Sequence, residues 1–173
     1  MGGNLAITSE VGLGTSIYFC CTFGVARDDA AAPELKRAPA QKLPAMRILL
    51  ADDEPIGRLS MQVMLKNMGH SVVAANDGLA ALQLLRQEGF DCVLMDVQMP
   101  EMDGLEATRH IRHLSEFAGV RDIPIIALTA YAMVGDRDRF LAAGMDDHVG
   151  KPVQLEALQN ALERVFSKRR QQL

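Results

Sequence analysis

Three aspartates stand where the chain leaves apolar runs of strand length: Asp52 and Asp53 follow Ile48-Leu49-Leu50-Ala51, and Asp96 follows Cys92-Val93-Leu94-Met95. A carboxylate at the end of a buried strand is costly without a partner. Two such charges about 4 Å apart repel by roughly 4 kcal/mol at an effective dielectric near 20, so a cation is their natural complement. Hard, partly hydrated oxygen ligands favour Mg²⁺, with Mn²⁺ as the second candidate, over zinc, and no His/Cys cluster of metal-ligand spacing competes. Alone, Asp52 and Asp53 read more simply as a solvated loop residue and a helix cap; Asp96 shifts that balance. Thr129 closes Ile125-Ile126-Ala127-Leu128 with a hydroxyl donor, and Lys151 follows Asp147-His148-Val149-Gly150 with a mobile ammonium. Together they are what a three-oxygen anion requires. Each alone is an ordinary turn or surface residue, but five at successive strand ends form a specific pattern for holding a divalent cation and a phosphoryl-sized anion side by side.

The segments between these residues must carry them to one place. After Met46, short apolar runs alternate with stretches of helical period. Strands are expected at Arg47–Ala51, Ser71–Ala75, Cys92–Asp96, Ile125–Ala130 and Asp147–Val149. The first helix should start near Pro55 and end at Gly69, with Ile56, Leu59 and Val63 on one face. The second runs from Asp77, as N-cap, to Glu88, and the third from Leu105 to about Glu116 with Ala107, Ile111 and Leu114 at helical spacing. A short fourth lies around Asp136 to Ala142; the last, Leu155 to Lys168, places Leu155, Leu158, Leu162 and Val165 on one stripe. Strict alternation implies an α/β fold with a doubly wound five-stranded parallel sheet, because parallel strands need right-handed crossovers. The expected strand order is 2-1-3-4-5. A ligand then sits beyond the carboxyl ends of the strands, at the switch point between strands 1 and 3.

The front of the chain differs. Ile7-Thr8-Ser9 and Thr15-Ser16-Ile17-Tyr18-Phe19 flank Glu10-Val11-Gly12-Leu13-Gly14, a β-hairpin pattern over residues 1–26. Residues 27–45 turn to Ala, Pro and charge, which reads as a flexible linker. A net charge of −4 argues against sequence-independent nucleic-acid binding, which needs a basic face. Cys20 and Cys21 are neighbours and Cys92 sits in an apolar run, so a reducing, cytoplasmic location is expected. The apolar stretch from Ser16 to Ala26 is too short to cross a bilayer as a helix, and no membrane contact is expected of these residues. His110 and His113 share a helix face but lack a third ligand and read as a solvated pair.

Residues 46–168 resemble a response-regulator receiver domain, of flavodoxin-like fold. The resemblance is carried by Ile48-Leu49-Leu50-Ala51-Asp52-Asp53-Glu54, by Val93-Leu94-Met95-Asp96-Val97-Gln98-Met99-Pro100-Glu101-Met102-Asp103-Gly104, by Ile125-Ile126-Ala127-Leu128-Thr129-Ala130, and by Gly144-Met145-Asp146-Asp147-His148-Val149-Gly150-Lys151-Pro152. It implies that Asp96 accepts the phosphoryl group. It implies further that Asp53, Asp96 and the backbone carbonyl of Gln98 ligate Mg²⁺ with help from Asp52 through water, that Thr129 and Lys151 bind phosphoryl oxygens, and that the Lys151–Pro152 bond is cis. The implied partners are the phosphohistidine domain of a kinase and a histidine phosphotransfer domain.

Two positions depart from, or tune, the family pattern. His148 stands three residues before the lysine, where Tyr or Phe is usual; a half-buried histidine is its simplest meaning, and pH-sensitive switching near a reference pKa of about 6.5 the sharper one. Tyr131 lies where the family tunes hydrolysis, and its bulk is expected to restrict attacking water. Residues 1–19 resemble the last hairpin of the ATP-binding domain of histidine kinases, so the chain looks like the C-terminal part of a hybrid sensor histidine kinase, in a cytoplasmic portion of what can be a membrane-anchored protein. The family's ATP-binding boxes and phosphoacceptor histidine are absent, so only self-phosphotransfer to Asp96 is expected here. Two other classes compete. A phosphatase of the haloacid dehalogenase type needs Asp-x-Asp, and Gln98 stands at the second position; a phosphorylation-independent interaction module does not need the intact five-residue site.

Overall fold

The computed structural model describes residues 2–10, 14–22, 43–130 and 136–170, and the chain divides into two units between Gln41 and Lys42. In the first unit β1 (Gly2–Glu10) pairs antiparallel with β2 (Gly14–Thr22), with Gly2 opposite Thr22 and Glu10 opposite Gly14. The hairpin turn at 11–13 and most of the expected linker, residues 27–42, lie outside the described residues.

In the second unit β3 (Arg47–Ala51), β4 (Ser71–Ala75), β5 (Cys92–Asp96), β6 (Ile125–Thr129) and β7 (Asp147–Gly150) form a parallel sheet in the order β4-β3-β5-β6-β7. Counted within this unit, that is the expected 2-1-3-4-5. The crossovers carry α1 (Pro55–Asn67), α2 (Gly78–Gln87), α3 (Gly104–His113), α4 (Asp136–Ala142) and α5 (Leu155–Arg170), with a short 3₁₀ turn at Ser115–Phe117.

The strand period of two sends alternate side chains to opposite faces. Leu49, Val93, Met95 and Ile125 join Leu82, Leu105, Ile111 and Phe117 in one core; Ile48, Leu50, Leu94 and Ile126 join Met61, Leu65, Leu158 and Leu162 in the other. Both faces are covered, which is why the strands read as continuous apolar runs. Asp77 caps α2 by accepting from the Ala80 amide at 2.7 Å, and Asp103 caps α3 through the Glu106 amide at 2.7 Å. Gly69 and Gly144 follow α1 and α4 with φ of 92° and 95°, a conformation that glycine adopts without a Cβ clash.

Helix α1 corrects the reading of Asp53 as its cap and shows which of its faces packs. Its N-cap is Glu54, whose carboxylate accepts from the amides of Ile56 at 3.1 Å and Gly57 at 2.5 Å. Pro55 occupies the first helical position, which sets the cap one residue before it and leaves Asp53 uncommitted. The shared face of Ile56, Leu59 and Val63 is real but points outward, with exposures of 76%, 61% and 51%, while Met61 and Leu65 are buried. Two apolar stripes run along this helix, and periodicity does not say which one packs. At the other end of the stripe on α5, Leu155 is also exposed, whereas Leu158, Leu162 and Val165 are buried; Leu114, past the end of α3, is exposed too.

At the pole of the sheet opposite the aspartates, His70 is buried and its Nδ1 accepts from the Met46 amide at 3.3 Å. Burial lowers its pKa below the ordinary histidine value. The unfolded chain therefore takes up a proton that the folded chain resists. The stability tied to His70 is complete above the unfolded pKa and is lost as pH falls through the folded one, at no more than about 1.4 kcal/mol per pH unit for one group. Urea titrations from pH 7.5 to 5 should show a steeper stability loss for wild type than for His70→Asn, which keeps a side-chain acceptor; parallel curves would contradict this.

Candidate functional site

Because β3 and β5 are parallel neighbours, with Ala51 beside Met95, the residues that follow them emerge at one edge of the sheet. Asp52, Asp53 and Asp96 each place a carboxylate oxygen there, all within 4.8 Å of one another. Asp52 and Asp96 are 1% and 5% exposed, while Asp53 faces solvent. Lys151, just past β7, reaches into the cluster, its Nζ lying 2.5 Å from Asp96 Oδ2 and 2.9 Å from Asp52 Oδ2. Asp96 Oδ1 accepts from the Gln98 amide at 3.2 Å, and Asp52 Oδ1 from the Glu54 amide at 3.0 Å. Thr129 ends β6 and is buried; its carbonyl accepts from the Lys151 amide at 2.7 Å. The Lys151–Pro152 bond is cis, as the resemblance implied.

Burial raises the pKa of Asp96; Lys151 and the Gln98 amide pull it down, and the Asp52 charge pushes it further up, so the net displacement is upward. For Lys151, burial disfavours the ammonium, yet its bonds to Asp96 and Asp52 outweigh that and its pKa is raised. The lysine is therefore firmly charged, and Asp96 holds its negative charge less willingly than an exposed carboxylate.

Three carboxylates face one ammonium, which leaves the cluster short of positive charge. Asp52 Oδ2 is buried and meets the Lys151 ammonium at 2.9 Å, with no second donor on it among the described residues. An all-oxygen donor set with an unfilled, buried lone pair fits a hard divalent cation such as Mg²⁺. Gln98 lies beside Asp96 and is exposed.

His148, on β7, is half-buried with its ring centroid 5.8 Å from that of Phe140 on α4. Its neighbour Asp147 is held by Arg164 Nε at 2.8 Å. Tyr131 lies outside the described residues. Arg58, which the sequence reading passed over, donates from Nη1 to the Asp52 carbonyl at 2.5 Å. The available signal was its place in the first turn of a helix that begins right after the aspartate pair.

Residues 48–163 match the family model described as response regulator receiver domain. The chain belongs to that family. Among curated relatives of this receiver are sensor protein GacS of Pseudomonas syringae pv. syringae, 44% identical over 127 residues, which are 73% of this chain and 13% of that protein, and sensor histidine kinase AruS of Pseudomonas aeruginosa, 35% identical over 165 residues, 95% of this chain and 16% of that protein. The chain thus spans about a seventh of the length of these relatives. The solved receiver domain of sensor histidine kinase PA1611 from Pseudomonas aeruginosa PAO1 is 38% identical, with a TM-score of 0.63 over 71% of this chain and 98% of that one, and holds a magnesium ion coordinated in its active site cleft. The receiver domain of the Saccharomyces cerevisiae response regulator Ssk1, solved with the histidine phosphotransfer protein Ypd1, matches at 26% identity and a TM-score of 0.63 over 70% of this chain and 92% of that one. The receiver described here is of the kind found in hybrid sensor histidine kinases of two-component phosphorelays. Among the described residues, no helix is long and apolar enough to cross a membrane.

Proposed function

We propose that this receiver takes a phosphoryl group from a phosphohistidine onto Asp96 and passes it to a histidine phosphotransfer domain. The observation that carries the reading is the placement of Lys151 Nζ against Asp96 and Asp52 at the strand ends, where one ammonium meets a cluster of three carboxylates. An Asp96 carboxylate oxygen forms the new O–P bond as the P–N bond breaks and its electron pair stays on the imidazole nitrogen. Lys151 and the Thr129 hydroxyl offset charge on the phosphoryl oxygens. Asp52, Asp53, Asp96 and the Gln98 carbonyl would hold Mg²⁺, which when bound supplies electrostatic stabilisation of the transferring group. The protein's share is positioning and preorganised charge, as in phosphoryl transfer generally.

A phosphohistidine donor must approach the rim where α1 begins. There Ile56, Leu59 and Val63 expose one apolar stripe, and Leu59, Val63, Met64 and Leu155 line a shallow groove between α1 and α5. A helical histidine-bearing domain fits such a face, since an amphipathic helix packs by apolar ridges into a groove. Residues 1–26 are read as the last hairpin of a kinase ATP-binding domain, 27–45 as a linker and 46–168 as the receiver. The alignment with AruS, which takes in 95% of the chain, supports that order.

Incubation with acetyl phosphate and Mg²⁺, followed by intact-mass measurement, should add one phosphoryl group per chain, and ATP in its place should add none. Leu59→Asp should still be labelled by acetyl phosphate but lose most transfer from a phosphohistidine domain. No mass gain on wild type, or turnover of varied phosphomonoesters without accumulation, would remove the relay reading.

A further inference from the structure

The Asp53 carboxylate is the loose member of the acidic cluster. It is exposed, and among the described residues no hydrogen bond or ion pair holds it, whereas Asp52 and Asp96 are gripped through their side chains. Its position therefore depends on the peptide that precedes it. That stretch is tied down by the Asp52 amide, which donates to the Ala75 carbonyl at 3.2 Å, by Asp52 Oδ1, which accepts from the Glu54 amide, and by the Asp52 carbonyl, which accepts from Arg58 Nη1 at 2.5 Å. The Asp52 carbonyl and the Asp53 amide share one rigid plane, so fixing the oxygen fixes the direction in which Asp53 leaves the strand. A charged donor makes this a strong bond, and the planar guanidinium gives it a defined orientation.

We propose that Arg58 is a positioning residue for the cation: by holding the Asp52 carbonyl it aims the Asp53 carboxylate into the cluster and raises the affinity for Mg²⁺. This rests on the reading of the three aspartates as a cation site. A guanidinium beside that site also repels a divalent cation through space. The two effects have opposite signs, so removal of Arg58 separates them: lost positioning weakens Mg²⁺ binding, and lost repulsion strengthens it.

The test is a Mg²⁺ titration of the full chain, read by amide NMR shifts with no phosphoryl donor present, alongside thermal unfolding without Mg²⁺ to confirm folding. Arg58→Met should bind Mg²⁺ about tenfold more weakly than wild type, the scale of losing a partner that orients a metal ligand, and Arg58→Lys should fall between. At saturating Mg²⁺, labelling by acetyl phosphate should fall by less than the affinity does. Binding by Arg58→Met as tight as wild type, or tighter, overturns the proposal. Should Arg58→Met fail to fold, Arg58→Lys decides, because it keeps the charge and loses the planar fork: weaker binding supports positioning and unchanged binding overturns it. A wild type that binds no Mg²⁺ would instead remove the cation site itself.

Discussion

Asp96→Asn should take up no phosphoryl group from acetyl phosphate, and without Mg²⁺ it should unfold a few degrees above wild type. The first effect follows from the loss of the carboxylate that Lys151 holds at 2.5 Å; a carboxamide oxygen does not serve as the nucleophile. The second follows from the raised pKa of Asp96, which burial causes and the nearby Asp52 charge reinforces. The fold favours the protonated form, so the stability tied to this group is fully present below its unfolded pKa and is lost as pH rises through the folded pKa. Once Asp96 ionises, wild type has lost it. Asparagine, neutral throughout, has not. Lys151 keeps Asp52 as a partner at 2.9 Å, which limits the opposing loss. Mg²⁺ should reverse the order, because wild type offers three carboxylates to the ion and the variant two, and stabilisation follows RT ln(1 + [Mg²⁺]/Kd). Melting curves with and without MgCl₂, together with intact mass, test both halves. An asparagine variant that melts below wild type without Mg²⁺ would show that the Lys151–Asp96 attraction outweighs the burial of Asp96.

Gly104→Ala should cost about 3 kcal/mol, since overpacking against fixed backbone lies at the severe end of small-to-large changes. The first residue of α3 packs directly on the end of β5. A Cβ there would lie 2.0 Å from the Asp96 carbonyl oxygen, 2.9 Å from its carbon and 2.9 Å from Met95 Cγ. The Gly104 backbone is not free to yield, because its amide donates to the Val97 carbonyl at 3.1 Å and its carbonyl accepts from buried Thr108 Oγ1 at 2.7 Å. Relief must come from displacing Asp96. A shift near 1 Å at the reacting group lowers rates by roughly a hundredfold, so labelling should fall by that order even in the folded fraction, with the melting temperature lowered by about 10 °C. A variant that melts and is labelled like wild type would mean that α3 can slide away from β5.

Much of this was legible beforehand for definite physical reasons. Strands buried on both faces leave unbroken apolar runs, and the polar residues that interrupt them at Asp52, Asp96 and Thr129 mark one edge of the sheet once the strands are known to be parallel. The outward stripe of α1 was not legible, because Ile56, Leu59, Val63 and the buried Met61, Leu65 satisfy the same helical period. The roles of Arg58 and Gly104 were hidden for another reason. Both act on a backbone carbonyl, of Asp52 and Asp96 respectively, and a carbonyl leaves no letter in the sequence. Glu54 rather than Asp53 caps α1, a choice that Pro55 makes one residue away.

The two cores that flank the sheet have no side chain in common. The sheet is thus a partition between two separately packed compartments, so side chains on the α1 and α5 side can be replaced without touching those buried on the other. If the α1 and α5 face receives the phosphoryl donor as proposed, a lineage could exchange the contacts that recognise one upstream protein for those of another while the opposite wall, with α3 and α4, keeps its shape.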